Sequence, residues 1–249
     1  NHEFEDFEIS VTQDGFIAVN GIEDKQSALR LLNIVFGCGI FYNLDFHAAS
    51  EIDLIQVVFE QDNIKSTLGA PSGQRRIAKV EPNQWNSNST NYYSMIEREV
   101  VDTDTIKKIL QNAEEAYSKE ELGERMSFAL QAYTHHQNGE YEQSFLLSWI
   151  SIEQYLNTLA NKHLKEKLNI NNSRRSKITD SPNWTSTHKI EILEISNAIN
   201  SEDYSKIDKF RGKRNKIVHE MESVTEESSR EILEYTFSIL HDSFENTHS

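Results

Sequence analysis

The chain has 249 residues, more than one typical domain, with 37% apolar and 10% aromatic residues, enough to fill a real core. Its 40 acidic against 25 basic residues give a net charge of −15, which argues against a protein that coats nucleic acid over its whole surface. A single cysteine, Cys38, excludes an internal disulfide and points to a reducing, cytoplasmic setting, and no apolar run approaches the roughly 20 residues that span a bilayer.

In chain order, the first hundred residues read as mixed α/β. Phe7–Val11 alternates in polarity and Gly15–Val19 follows Asp14-Gly15, which predicts a hairpin. Ser27–Tyr42 carries Leu31, Leu32, Ile34, Val35 and Ile40, the pattern of a buried helix, interrupted near Gly37-Cys38-Gly39. Asp53–Phe59 reads as another strand and Arg76–Val80 as a fourth. Gly69–Gly73 and Pro82–Asn91 are rich in turn formers and read as loops.

From Asp102 the periodicity is helical. Thr103-Asp104 is placed to cap a helix with Ile106, Ile109, Leu110 and Ala113, and Leu122–Thr134 is a second helix. Tyr141–Leu168 is a long third, in which Phe145, Trp149, Ile152, Leu156 and Leu159 form a core stripe. Asn169–Ser186 is polar, contains Pro182 and reads as an exposed loop. His188–Ile199, Tyr204–Glu220 and Thr225–Phe244 complete a bundle. The expected fold class is therefore α+β: a mixed α/β accessory or sensing domain over residues 1–101 and an all-α helical bundle over 102–249.

The charge is uneven. Residues 161–220 carry 13 Lys or Arg against 8 Asp or Glu, in a chain otherwise strongly acidic. Within that island, Arg211-Gly-Lys-Arg-Asn-Lys-Ile-Val-His219-Glu220 sets a titratable base among permanent cations. Histidine exchanges protons near neutral pH, and arginine offers a planar fork suited to phosphate oxygens. Such a pair is what cleavage of RNA by its own 2′-hydroxyl requires. On a helix Arg211, Asn215 and His219 share one face, while Arg214 lies about 140° from His219 and must bend to reach it. Spacing alone fits an exposed basic helix end equally well.

Ser144–Asn157, followed by Arg214-Asn-Lys-Ile-Val-His219, resembles the HEPN family of helical bundles. That family is marked by Arg, four to six residues, then His, often with a polar residue directly after the Arg and an acidic residue on an earlier core helix. The resemblance covers about residues 120–245 and is nearest to the Apea-like branch, in which an α/β region precedes the bundle. It implies a metal-independent endoribonuclease acting as a homodimer, with antiviral, abortive-infection or toxin-like roles. RNA is the implied partner, tRNA or mRNA among the candidates. On this resemblance Arg214 and His219 are catalytic, Asn215 orients the His or the phosphate, and Glu153 positions Arg214. Arg211, Lys213 and Lys216 then hold flanking phosphates. Where some HEPN toxins carry a modifiable Tyr two residues after the His, this chain has Met221, which argues against that silencing route. The rival is a catalytically silent HEPN-like module that dimerises and binds RNA, nucleotide or a protein partner.

Other patterns rank lower. Adjacent histidines such as His135-His136 point apart on a helix, so with Glu140 they make a poor metal site. Cys38 reads as a small core residue, although His47 nearby admits a nucleophile reading. Walker A and Rossmann glycine patterns are missing from the sequence, and neither metal nor cofactor is expected.

Overall fold

A computed structural model describes residues 2–3, 7–11, 17–54, 57–60, 63–66, 101–166, 171–179, 181 and 184–245. Strands β1 (His2–Glu3), β2 (Glu8–Val11) and β3 (Ile17–Asn20) form an antiparallel sheet in that order, with Ile9 opposite Val19 and Val11 opposite Ile17. The expected hairpin is thus present, though its turn lies outside the described residues. A second two-stranded sheet pairs β4 (Val57–Glu60) with β5 (Asn63–Ser66). Asp53 belongs to a 3-10 turn, Glu51–Asp53, rather than to the strand. The strand expected at 76–80 and the loops at 69–73 and 82–91 lie outside the described residues.

Helix α1 (Lys25–Ile40) starts where the Asp24 carboxylate accepts from Gln26 N and Ser27 N. It runs unbroken through Gly37 and Gly39, contrary to the expected interruption. These glycines admit neighbours instead. A Cβ on Gly37 would fall 2.7 Å from the Met126 side chain, and one on Gly39 would fall 2.5 Å from the Phe46 ring.

Among the described residues seven further helices follow: α2 (Thr103–Ser118), α3 (Glu120–Gln137), α4 (Tyr141–Glu166), α5 (Asn172–Thr179), α6 (Ser186–Ile195), α7 (Ser201–Glu220) and α8 (Glu226–Glu245). The cap of α2 is Asp102, one residue before the expected pair; its carboxylate accepts from Asp104 N and Thr105 N. Helix α5 stands where a loop was expected. Asn171 Oδ1 accepts from Arg174 N, a side-chain cap that starts a helix in a segment with no apolar stripe to announce it. Helix α7 begins three residues earlier than its apolar pattern, because Asn200 Oδ1 accepts from Asp203 N.

Two apolar clusters hold these elements. In the first, Ile9 and the α1 residues Leu31, Ile34, Val35 and Cys38 pack with Ile109, Leu122, Met126, Leu240 and Phe244. Strands β2 and β3 and helix α1 therefore share a core with α2, α3 and α8. The second cluster gathers Phe145, Trp149, Ile152 and Leu156 of α4 with Leu193, Ile207, Phe210, Ile217, Ile232 and Ile239. That confirms the α4 stripe as core, with Leu159 only half-buried at its edge. Between the clusters α3 and α4 lie antiparallel and close, since Ser144, Ser148 and Ser151 are fully buried and Ser151 Oγ donates to Arg125 O. Helix α7 packs on α4 and α6 with Ile207, Phe210 and Ile217 buried, and Phe210 lies against Phe145 of α4 and Tyr235 of α8, which leaves its basic residues on the remaining faces.

Candidate functional site

The last turns of α7 carry the residues singled out in the sequence. Ile207, Phe210 and Ile217 bury one side of the helix, so Arg211 and Asn215 come out half-buried and His219 exposed. These three recur every fourth residue and share a face. Arg214 starts nearer the buried side. Its guanidinium Nη1 donates to Asn215 Oδ1 at 3.1 Å, which bends it around toward that face. The helix ends at Met221, in the left-handed region (φ 55°, ψ 33°), where its N–H caps Lys216 O. Met221 is 92% exposed.

This reversal brings Glu222 back along the helix. Its carboxylate accepts from Lys213 Nζ and lies 3.8 Å from Lys216 Nζ, while Lys213 also donates to Ser223 O at 3.1 Å. The Lys213 hydrogen bond, aided by the charges of both lysines, holds the Glu222 carboxyl below its ordinary range. Val224 N then donates to Glu142 Oε1 at 3.0 Å, tying the turn to the start of α4 and lowering the Glu142 carboxyl in the same sense. Sequence reasoning missed Glu222 because it lies beyond the helical period; only the left-handed turn at Met221 places it under Lys213 and Lys216.

Each expected phosphate-binding residue already has an acidic neighbour. Arg211 donates twice to Asp208 Oδ1, at 2.9 and 2.7 Å, and Lys213 and Lys216 share Glu222. Further along α7, Lys206 pairs with Glu202, and Lys209 pairs with Glu231 of α8. Among the described residues Arg214 and His219 are the basic side chains of α7 for which no carboxylate lies within ion-pair distance. Glu153 lies on α4 as expected, but its recorded bond is the one it accepts from Ser186 Oγ at the start of α6. The structure gives it no bond to Arg214, whose hydrogen bond is to Asn215.

On the neighbouring face of α7 a cavity of about 310 Å³ opens against α8 and α4, lined in part by Lys209, Gly212, Lys213, Lys216, Glu231 and Phe145. Apart from the surrounding helix backbone and its chain neighbours, nothing lies within 4 Å of where a Cβ on Gly212 would stand, so the cavity wall there is bare backbone.

The alternative centres come apart. His135 Nδ1 is hydrogen-bonded to Glu140 Oε2 at 2.5 Å, whereas His136 Nδ1 faces Ser229 Oγ at 2.9 Å, so the two imidazoles serve different partners. No group of three or more His, Cys, Asp or Glu is gathered as for a metal ion among the described residues. Cys38 is fully buried, and burial, with a smaller push from the Glu115 charge, drives its thiol far above the ordinary range. It is a core residue. No helix among the described residues is long and apolar enough to cross a membrane. Comparison with protein-family models, with curated proteins and with solved structures gives no match.

Proposed function

We propose that the chain is a metal-independent RNA endonuclease of the HEPN type, built as an α/β segment followed by a HEPN-like bundle and working as a homodimer in cytoplasmic antiviral or toxin-like defence. The observation that carries this reading is the pairing pattern of α7. Lys206, Lys209, Arg211, Lys213 and Lys216 are matched with carboxylates, while no carboxylate among the described residues pairs with Arg214 or His219, which are left to an outside anion. The Arg-Asn-x-x-x-His resemblance supports the same two residues.

In the reaction we assign, the His219 imidazole takes the proton of a ribose 2′-hydroxyl as that oxygen attacks the adjacent phosphorus. Arg214 offsets the charge that builds on the phosphorane oxygens, and Asn215 holds the guanidinium in place. The P–O5′ bond breaks, a proton is delivered to O5′, and the products are a 2′,3′-cyclic phosphate and a 5′-hydroxyl. His219 of the partner subunit supplies that second proton across a two-fold axis. Both proton transfers and the charge compensation are thereby assigned to side chains of the chain itself.

One observation favours the silent-module reading instead: Glu153 is engaged by Ser186, so among the described residues Arg214 is oriented by Asn215 alone. Incubating the purified protein with total RNA and with tRNA in EDTA, followed by end-group analysis, separates the two. Cyclic phosphate ends support the nuclease; RNA bound but left intact supports the silent module.

A further inference from the structure

The basic island of residues 161–220 divides into two unlike halves. Residues 161–179 hold Lys162, Lys165, Lys167, Arg174, Arg175 and Lys177 against Glu166 as the one acid, whereas residues 180–220 hold seven basic and seven acidic residues. The whole local excess of positive charge therefore lies before the motif helix, within residues 161–179.

The structure sharpens this contrast. Lys162, Lys165, Arg174 and Lys177 are all exposed, and among the described residues none has a carboxylate within ion-pair distance. Most cations of α7 are already neutralised by Glu202, Asp208, Glu222 and Glu231. Exposed lysines without partners keep their field and their counterions, and release of those counterions is what drives binding to a phosphate backbone. In a chain of net charge −15, such a surface is where a polyanion lands.

We propose that the α4 end and α5 form the RNA-gripping surface of this protein, and that α7 only positions the phosphodiester to be cut. The inference rests on the reading of RNA as the substrate. The two places are far apart. Glu142, at the start of α4, bonds Val224 beside the end of α7, and Lys165 lies 23 residues further along the same helix. At 1.5 Å per residue that is about 35 Å. RNA must span this distance to be held and cut at once, so a short oligoribonucleotide is a poor substrate and a long one a good one. An anionic membrane fits this surface less well. Among the described residues the exposed large apolar side chains are Ile52, Ile150, Ile195, Val218 and Met221, and none of these lies on the α4 end or α5 to anchor in lipid.

The test measures binding of a long fluorescent RNA by fluorescence anisotropy over a series of salt concentrations, in a His219→Ala background that prevents cleavage. Lys162→Glu/Lys165→Glu is compared with the charge-matched Lys206→Glu/Lys209→Glu, each checked for folding by circular dichroism. The first pair should weaken binding about tenfold or more and lower the salt slope by about 2; the second should change affinity less than about threefold. Equal losses from both pairs overturn the proposal. So do an unchanged affinity in the first pair, failure of the parent to bind RNA, or tighter binding to phosphatidylserine vesicles than to RNA. If the nuclease reading alone is wrong, the chain with its native His219 leaves RNA uncut while the Lys162/Lys165 variant still loses affinity. If only this inference is wrong, the native chain cleaves and that variant binds as its parent does.

Discussion

Arg214 and Asn215 are joined by a side-chain hydrogen bond, Nη1 to Oδ1 at 3.1 Å, between two consecutive helical residues that point in different directions. The amide draws a guanidinium rooted near the buried side of α7 toward the face that carries His219. Arg214→Ala is expected to reduce RNA cleavage about 10²–10³-fold, the usual cost of one transition-state donor. His219→Ala should cost about 10²–10⁴-fold as the acid or base is lost. Asn215→Ala removes only the orienting bond and should cost about tenfold or less. His219 is exposed, so its loss should leave circular dichroism and thermal melting unchanged. Folded Arg214 and His219 variants that cleave at the wild-type rate would show that the chemistry lies elsewhere.

Glu222 presents to Lys213 and Lys216 the same kind of oxygens that a phosphate would. In Glu222→Gln both lysines lose their anionic partner, and RNA affinity should rise a few-fold at low salt, with the difference fading as salt screens these exposed charges. The readout is a Kd measured at low and at high ionic strength. An affinity that falls, or a gain unaffected by salt, would mean that Glu222 serves only to close the turn.

How much of this was legible in the sequence follows from the range of each interaction. The α4 stripe and the helices around it were readable because burial imposes a 3.6-residue period on one face. Asp102, Asn171 and Asn200 are caps acting over two or three residues, and they fixed helix starts that the sequence reading misplaced at α2 and α7 and did not expect at α5. Gly37 and Gly39 read as breakers because the residues that need their missing Cβ, Met126 and Phe46, are brought there by tertiary packing. Arg214, Asn215 and His219 were found from their spacing. The acids that neutralise their neighbours were not, since Glu222 arrives through a left-handed turn and Glu231 from another helix.

The shared apolar cluster bears on how the two halves of the chain fold. Leu122, Met126, Leu240 and Phe244 are at most 4% exposed, and they pack against Leu31, Ile34, Val35 and Cys38 of α1. A fragment beginning at residue 102 would leave that face to solvent. Each such side chain contributes about 1.5–3 kcal/mol when buried, comparable to a large part of a domain's net stability. The fragment should aggregate or melt well below the full chain in differential scanning calorimetry. A soluble fragment melting at the temperature of the full chain would instead mark residues 102–249 as an independent domain.

Asp102 links helix capping to pH. Its carboxylate accepts from Thr105 Oγ1 at 2.7 Å and from the Thr105 and Asp104 amides, and these bonds, with the Thr105 side chain first, hold its pKa below the ordinary aspartate value. A carboxyl whose folded pKa is depressed contributes its full stabilisation above the unfolded value and loses it as pH falls through the folded one. Asp102→Ala should therefore lower the melting temperature by a few degrees at neutral pH, and the gap to wild type should shrink in acid below the ordinary aspartate range. Asp102→Asn keeps an acceptor for the helix amides but cannot titrate, so it should melt close to wild type at neutral pH while showing a flatter dependence in acid. Thermal melts of the three proteins from neutral pH down through that range provide the check. A gap between Asp102→Ala and wild type that stays constant into acid would mean that the ionised carboxylate is not what starts α2.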